Sequence, residues 1–276
     1  MKHSSVLFVG DTQHIEFRAA ALWLEQRANV VYAKTLSAAR GRCLSSETGF
    51  DLIVLGAARP GQFLAEEVDA LRRTAPLARL LALLGSWCEG ELRSGHPWPG
   101  VYRTYWHQWP ARLAPELENL LDGKCPVWGH ALTMTLTEEV LHMWQAPVQV
   151  IFRLIVVHAS DQETANSLRD VCRHLGYATV CAVGEQPPEV FGAAAVVWDA
   201  SQQDDSRWQQ LRRLSQHYQP TQILATLSFP RSNVVQRLLD SGAHQVLSKP
   251  FLLHDFSWLL NQMIQSAPAI DSETAA

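Results

Sequence analysis

The sequence predicts an α/β chain of two tandem three-layer domains, each a five-stranded parallel sheet with helices on both faces. Three observations predict this fold class. Short continuous apolar segments recur along the 276 residues, and such segments are typical of strands buried on both faces of a parallel sheet. Segments with the apolar period of amphipathic helices alternate with them. The alternating series then runs a second time, about 145 residues later, which is far longer than the period of a solenoid repeat.

In the first half, five apolar segments are predicted as strands, and the segments between them as helices. The first strand is predicted at residues 6–9, and a helix with an apolar stripe of Ile15, Ala19, Leu22 and Trp23 follows it. The remaining strands are predicted at 30–32, 52–55, 80–84 and 100–103, and the last helix at 110–121.

The second half repeats this order. A strand is predicted at residues 154–157, and the next helix carries an apolar stripe that ends before Gly176, a favourable residue for a helix C-cap. That stripe consists of Leu168, Val171, Cys172 and Leu175. The remaining strands are predicted at 178–183, 194–198, 223–227 and 245–247, and the last helix at 253–265.

The predicted domains are residues 1–124 and 151–266, joined by a connector at 125–150 and followed by a flexible tail at 267–276. The connector contains Trp and Pro but no Lys or Arg, and the tail has no periodicity. Both domains fall within the usual size of about 100–200 residues.

Composition narrows the class of protein. The net charge is −4, from 23 basic and 27 acidic residues, so the basic excess typical of nucleic-acid-binding proteins is absent. No apolar run reaches the ~20 residues that a membrane-spanning helix needs, and the first ten residues lack the pattern of a signal peptide. The five Cys residues are scattered, which indicates reduced thiols. These features predict a cytoplasmic protein whose partners are other proteins, without nucleic acid or membrane; they leave its oligomeric state open.

Three ordered segments of the second half carry a specific pattern. The pattern of a strand, a helix and a second strand is found in RLIVVHASDQETANSLRDVCRHLGYAT. A strand that ends in Asp is found in AAAVVWDAS. A helix, a Gly-Ala turn, a strand and a Lys-Pro loop follow one another in NVVQRLLDSGAHQVLSKPF. Over residues 153–265 the chain thereby resembles the receiver domain of bacterial response regulators. The first half resembles it in FDLIVLGAARPGQF. The resemblance implies a flavodoxin-like strand order with the site at the carboxyl ends of the strands.

The resemblance also implies a chemistry, the transfer of a phosphoryl group from a histidine kinase to an Asp carboxylate. In the family, the acceptor and an acidic pair after the first strand hold Mg²⁺, which neutralises the reacting anions. A Lys pairs with the transferred oxygens, and a Ser or Thr hydroxyl at the end of the fourth strand binds the product.

These family positions fall on particular residues of the second half. The phosphoacceptor matches Asp199, and the lysine matches Lys249, which precedes a Pro250 that the resemblance implies to be cis. The hydroxyl position matches Thr226, or Leu227 when it is counted back from the Gly-Ala turn.

The acidic pair of the family is incomplete in the second half. It falls on His158 and Ala159, or on Ala159 and Ser160, and Asp161 follows one or two residues late. A hard cation needs several oxygen ligands, so this departure predicts that Mg²⁺ binds poorly and that no cofactor is required. The structural alternative for Asp199 is capping of the loop or helix that follows its strand.

The first half departs further from the family. Gly56 stands at the acceptor position and Leu84 at the hydroxyl position, Asp11 is the one acid after the first strand, and YRTYWHQWP replaces the Lys-Pro loop. No phosphoryl chemistry is predicted in this half.

An aromatic loop at residues 87–109 is predicted as an interaction surface, because Trp, Tyr and Arg are typical of interface hot spots. Its predicted contact residues are Trp98, Tyr102, Arg103, Tyr105, Trp106, His107 and Trp109. Three alternatives stay open for this loop: packing against Trp128 and Trp144 of the connector, a small-molecule site, and a zinc site at Cys88, His96 and His107 whose spacing matches no short motif.

The function predicted from the sequence is a non-catalytic tandem pseudo-receiver, a protein-interaction module of two-component signalling. The alternative is a working receiver in which Asp199 accepts phosphate from a histidine kinase. A third hypothesis, from another class, is a small-molecule sensor or flavodoxin-like enzyme that uses the 87–109 loop.

Overall fold

The chain divides into two compact units, Met1–His142 and Met143–Ala276. The computed structural model describes residues 4–89, 98–122, 151–184, 186–201 and 205–266. The predicted connector at 125–150 and the predicted tail at 267–276 lie outside these residues, and the predicted domain limits therefore stay a prediction.

The first unit is a five-stranded parallel sheet in the order β2-β1-β3-β4-β5, with a short 3₁₀ turn at Ser86–Cys88 after β4. Its elements are β1 (Ser5–Val9), α1 (Arg18–Glu25), β2 (Asn29–Ala33), α2 (Leu36–Ser45), β3 (Leu52–Ala57), α3 (Ala65–Thr74), β4 (Arg79–Leu84), β5 (Tyr102–Tyr105) and α4 (Trp109–Leu121). The predicted strand at 100–103 lies two residues later, since Gly100 takes a positive φ of 71° in a turn before β5.

The second unit has the same parallel topology, in the order β7-β6-β8-β9-β10. Its elements are β6 (Ile151–Ala159), α5 (Gln162–His174), β7 (Tyr177–Val183), β8 (Ala193–Asp199), α6 (Asp205–Tyr218), β9 (Ile223–Ser228), α7 (Ser232–Asp240), β10 (Gln245–Lys249) and α8 (Leu253–Ser266). The predicted fold class, two tandem three-layer α/β domains, is confirmed.

One predicted alternation of strand and helix is interrupted in the second unit. Between β7 and β8, the described residues 184 and 186–192 contain no helix. Pro187 and Pro188 lie in this segment, and proline both lacks an N–H donor and disfavours a helical conformation of the preceding residue.

Alternate side chains of the first sheet build two cores on its opposite faces. Leu7, Ile53 and Leu55 pack toward α2 and α3, whereas Phe8 and Val54 pack toward α1 and α4. This division follows from the two-residue period of a strand.

The helix stripes predicted from the sequence have mixed outcomes. In α8 all five predicted core residues are buried: Phe256, Leu259, Leu260, Met263 and Ile264. In α1 and the segment before it, the predicted stripe is wrong for Ile15, Ala19 and Leu22, which are exposed, because the buried face of the helix is formed by Ala20, Ala21 and Leu24. Across the described residues, every helix is too short or too polar to cross a membrane.

A fragment of residues 151–266 is expected to fold on its own, because its sheet and the core between β8 and α6 are built from its own residues. Circular dichroism and a cooperative thermal transition would measure this. The matched control is the fragment 151–252, which lacks the buried residues of α8 and should be unfolded. An unfolded 151–266 fragment would contradict the expectation.

Candidate functional site

The carboxyl edge of the second sheet brings Asp199 and Lys249 together. Asp199 is the last residue of β8 and Lys249 is the last residue of β10, with β9 lying between these strands. The Asp199 side chain is 0% exposed and the Lys249 side chain is 23% exposed. The Lys249–Pro250 peptide bond is cis. The structure thus places the two residues that match the family's acceptor and lysine in direct contact.

Three polar groups form a closed triangle at this edge. The Lys249 ammonium donates to Asp199 Oδ1 at 2.5 Å and to Ser201 Oγ at 2.6 Å. The Ser201 hydroxyl in turn donates to Asp199 Oδ1 at 2.7 Å. Ser201 follows β8 by two residues and is exposed, so it covers the Asp–Lys pair on its solvent side.

The second oxygen of Asp199 is bound from the neighbouring strand. Ser160, the first residue after β6, donates from its hydroxyl to Asp199 Oδ2 at 2.8 Å. Ser160 and Ala159 occupy one of the two places predicted for the family's acidic pair. A hydroxyl and a methyl group therefore stand where the family has carboxylates.

Asp161 has a separate role in the structure. It is the N-cap of α5, and its Oδ1 and Oδ2 accept from the Thr164 backbone N–H and hydroxyl, both at 2.8 Å. These bonds, the backbone bond first, lower the pKa of Asp161. The exposed carboxylate thus caps the N-terminus of α5, a role that the sequence analysis did not assign to it.

The environment of Asp199 keeps its carboxylate ionised. Burial alone would raise its pKa, but the hydrogen bonds from Lys249, Ser201 and Ser160 and the charge of Lys249 lower it by more. The site is therefore an internally neutralised ion pair.

The structure places the predicted hydroxyl residue, Thr226, beside Asp199 and shows a further hydroxyl, that of Ser228, at the end of the same strand. Thr226 pairs with Asp199 in the sheet and is fully buried, and its Oγ1 has no hydrogen-bond partner. Ser228, two residues further along β9, pairs with Lys249 and is exposed at the end of the strand. Because residues two apart share a face, Ser228 is the hydroxyl at the rim of the site. Leu227 packs in the core on the opposite face.

Arg207 fixes the backbone of the acceptor strand. Its guanidinium donates to the Asp199 carbonyl oxygen and to Gln210, and it lies over the Trp198 ring at 5.0 Å. Sequence analysis missed this residue, because the contact depends on the first turn of α6 packing beneath the end of β8.

His158 is a structural residue of the core. Its Nε2 lies 3.1 Å from the Tyr218 hydroxyl. Burial, then the positive charges of Arg207 and His217, lower its pKa to about 4, so it is neutral at physiological pH.

The corresponding edge of the first sheet holds no acceptor. A Cβ atom at Gly56 would lie 3.1 Å from the Phe8 ring and 3.2 Å from the Phe17 ring. Two aromatic rings therefore fill the space that a side chain at this position would need. Buried Glu16 accepts from the Ser86 backbone N–H at 3.1 Å and from the Ser86 hydroxyl, a contact that sequence analysis missed.

Most rings of the predicted aromatic surface pack within their own unit. Trp98 and Tyr105 pack against the α2/α3 core, and Tyr102, Trp106 and Trp109 join the α1/α4 core. The Trp109 ring is met edge-on by Trp23 at 5.2 Å. By contrast, Trp87 is 70% exposed.

The polar residues of the loop, His107 and Arg103, are also buried or half-buried within the first unit. His107 stacks on Tyr105 with ring centroids 5.9 Å apart, and its Nε2 lies 3.5 Å from a Glu89 oxygen. Burial is the main cause that lowers the pKa of His107. Arg103 is half-buried. Two alternatives for this loop involve residues that lie outside the described part of the chain: Trp128 and Trp144 for packing against the connector, and His96 for a zinc site. Among the described residues, no cluster of three metal-ligating side chains occurs.

Comparisons with known proteins concern the fold. No family model matches the chain, and no curated protein is significantly similar to it. Solved structures each align with less than half of it. A protein described as pilus assembly-related, from Burkholderia pseudomallei, is 15% identical with a TM-score of 0.39, covering 42% of this chain and 92% of that one. A response regulator from Thermotoga maritima is 16% identical with a TM-score of 0.36, covering 42% and 100%.

A third solved structure, a response regulator receiver protein from Pseudoalteromonas atlantica, is 17% identical with a TM-score of 0.37 and covers 42% of this chain and 99% of that one. Both sheets of the present chain have the strand order that flavodoxin-like and receiver folds share, with the first strand between the second and the third. By this strand order, each of the two units has a flavodoxin-like, receiver-like fold.

Proposed function

We propose that the chain is a non-catalytic tandem pseudo-receiver, a protein-interaction module of two-component signalling. The observation that carries this proposal is the closed Asp199 site: Lys249 and Ser201 bind one carboxylate oxygen, and Ser160 binds the other. All three donors come from the same unit, so the Asp199 carboxylate is already paired and hydrogen-bonded in the absence of a phosphoryl group.

Two physical requirements of aspartyl phosphorylation are unmet at this site. The phosphodonor must reach a carboxylate oxygen, and Asp199 is fully buried. A divalent cation must neutralise the reacting anions, and the neighbouring strand offers Ser160 in place of an acid while Asp161 caps α5.

An exposed aromatic residue beside the site supports a role in protein binding. Phe229 directly follows Ser228, is exposed, and has a φ of 49°. Non-glycine residues in this left-handed region are strained and concentrate at functional positions. We infer that Phe229 forms part of the surface that partner proteins contact, with a histidine kinase as one such partner.

Incubation with acetyl phosphate and Mg²⁺ tests the proposal. No hydroxylamine-labile phosphate is expected on Asp199, and calorimetry should show weak Mg²⁺ binding, because the cation would meet one buried carboxylate that Lys249 already neutralises. The control variant is Asp199→Asn. A labile phosphoryl group that this variant loses, or tight Mg²⁺ binding, would instead establish the alternative, a working phosphoacceptor receiver.

A further inference from the structure

The nucleophile that solvent can reach at the second site is Ser201. Asp199 is fully buried, and both of its carboxylate oxygens accept hydrogen bonds. The Ser201 hydroxyl lies on the solvent side, in contact with both members of the ion pair. A phosphodonor that approaches this edge therefore meets Ser201 before it meets Asp199.

We propose that Ser201 is a phosphoryl acceptor, served by Asp199 and Lys249 as its positioned base and cation. The proposal goes beyond the pseudo-receiver function, which requires only that Asp199 itself is not phosphorylated. The donor is a high-energy phosphate of low molecular weight, an acyl phosphate or a phosphoramidate.

The geometry supplies the groups that the transfer requires. Ser201 Oγ attacks phosphorus, the bond from phosphorus to the donor's leaving oxygen or nitrogen breaks, and the leaving group departs with that electron pair. The hydroxyl proton passes to Asp199 Oδ1, which already accepts it at 2.7 Å. An Asp that accepts the proton of an attacking hydroxyl is an arrangement known from phosphoryl transfer.

Lys249 stabilises the charge that the reaction brings in. Its ammonium already lies 2.6 Å from the Ser201 oxygen, so it is placed to pair with the transferred phosphoryl oxygens. A phosphoserine carries about −1.5 to −2 charges at neutral pH and accepts several charge-assisted hydrogen bonds. It would compete with Asp199 for Lys249 and thereby open the closed ion pair.

The test uses the full-length chain with acetyl phosphate or phosphoramidate in the presence of Mg²⁺, followed by intact mass and tryptic mapping. The peptide 174–207 contains Asp199, Ser201 and Ser206. A phosphoserine ester survives hydroxylamine, whereas an acyl phosphate on Asp199 does not. The expected result is a hydroxylamine-stable phosphate in this peptide.

Variants assign the site. Ser201→Ala should abolish the modification, and Asp199→Asn should slow it about a hundredfold, the usual scale for loss of a positioned base. Ser206→Ala, an exposed serine of the same peptide, is the matched control and should be modified at the original rate. Circular dichroism of each variant verifies that it is folded.

The other outcomes each decide between the proposals. A hydroxylamine-labile phosphate that persists in Ser201→Ala would overturn this proposal together with the pseudo-receiver function. No incorporation from either donor would overturn the Ser201 proposal alone and leave the pseudo-receiver function standing. A hydroxylamine-stable phosphate that persists in Ser201→Ala would also overturn the Ser201 proposal.

Discussion

Lys249→Met is expected to destabilise the second unit by about 3 kcal/mol, the lower end of the range for breaking a buried ion pair. The substitution keeps most of the side-chain volume but leaves the fully buried Asp199 carboxylate without its cation. The lower end applies because Ser201 and Ser160 still donate to that carboxylate, and because Lys249 is partly exposed.

Urea denaturation of the full-length chain, with hydrogen exchange to assign the transition to the second unit, would measure this loss. The double variant Asp199→Asn, Lys249→Met should recover a large part of it, because no uncompensated charge remains. The matched control is Lys34→Met: Lys34 is exposed in the first unit, so its replacement should change stability by less than about 0.5 kcal/mol.

The ion pair between Asp199 and Lys249 contributes to the free energy of unfolding in a way that depends on pH, and the pKa shift of Asp199 fixes the direction of this dependence. The pKa of Asp199 is lower in the folded state than in the unfolded chain, so the stabilisation is present above the unfolded pKa of about 3.9. It is lost as the pH falls through the folded pKa. The difference between the original chain and Lys249→Met should therefore shrink at acid pH, and a difference that stays constant would contradict the ion-pair account.

The fold could be predicted from the sequence because parallel strands buried on both faces leave an unambiguous signal. The segments around Val54 and Val196 carry no polar side chain before Asp199, and they form the central strands β3 and β8. Helix faces were harder to predict. In α1 the small residue Ala20 is buried while Leu22 is exposed, so residue size alone did not define the buried face.

The candidate site could be predicted only in part. Asp199 and Lys249 were assigned by the resemblance to receiver domains, and in the structure each is the last residue of its strand. The hydroxyls of Ser160 and Ser201 that bind the ion pair could not be assigned, because their contacts depend on where each strand ends and on which face its last residue lies. The resemblance matched Thr226 to the hydroxyl position and counting back from the Gly-Ala turn gave Leu227; the sheet register pairs Thr226 with Asp199 and Ser228 with Lys249.

Composition alone also could not decide what the aromatic loop contacts. Trp and Tyr are enriched both at interfaces and in cores, so the sequence is consistent with either role. In the structure α4 returns across the sheet and carries Trp109 into the core formed with α1. The sequence predicts Trp109 as a contact residue of an interaction surface, whereas its burial makes the stability of its own unit the expected effect of removing the ring.

Trp109→Ala is therefore expected to destabilise the first unit by about 3–5 kcal/mol, the usual cost of truncating a buried aromatic side chain. The ring is 9% exposed, and it packs with Leu113, Leu117 and the Trp23 ring. Truncation would leave a cavity between α1 and α4 that neighbouring side chains fill only partly.

The matched control is Trp87→Ala, which removes the same side chain from the same loop at a position that is 70% exposed. Trp87→Ala should change the free energy of unfolding by no more than about 0.5 kcal/mol. It should weaken the binding of captured protein partners more than Trp109→Ala does. Urea denaturation of the full-length variants, with hydrogen exchange of β1 and α4 to assign the first unit, separates the two residues. Equal losses of stability in Trp109→Ala and Trp87→Ala would contradict the different roles inferred from burial. A Trp109→Ala variant of unchanged stability would instead support the earlier prediction that Trp109 belongs to the interaction surface.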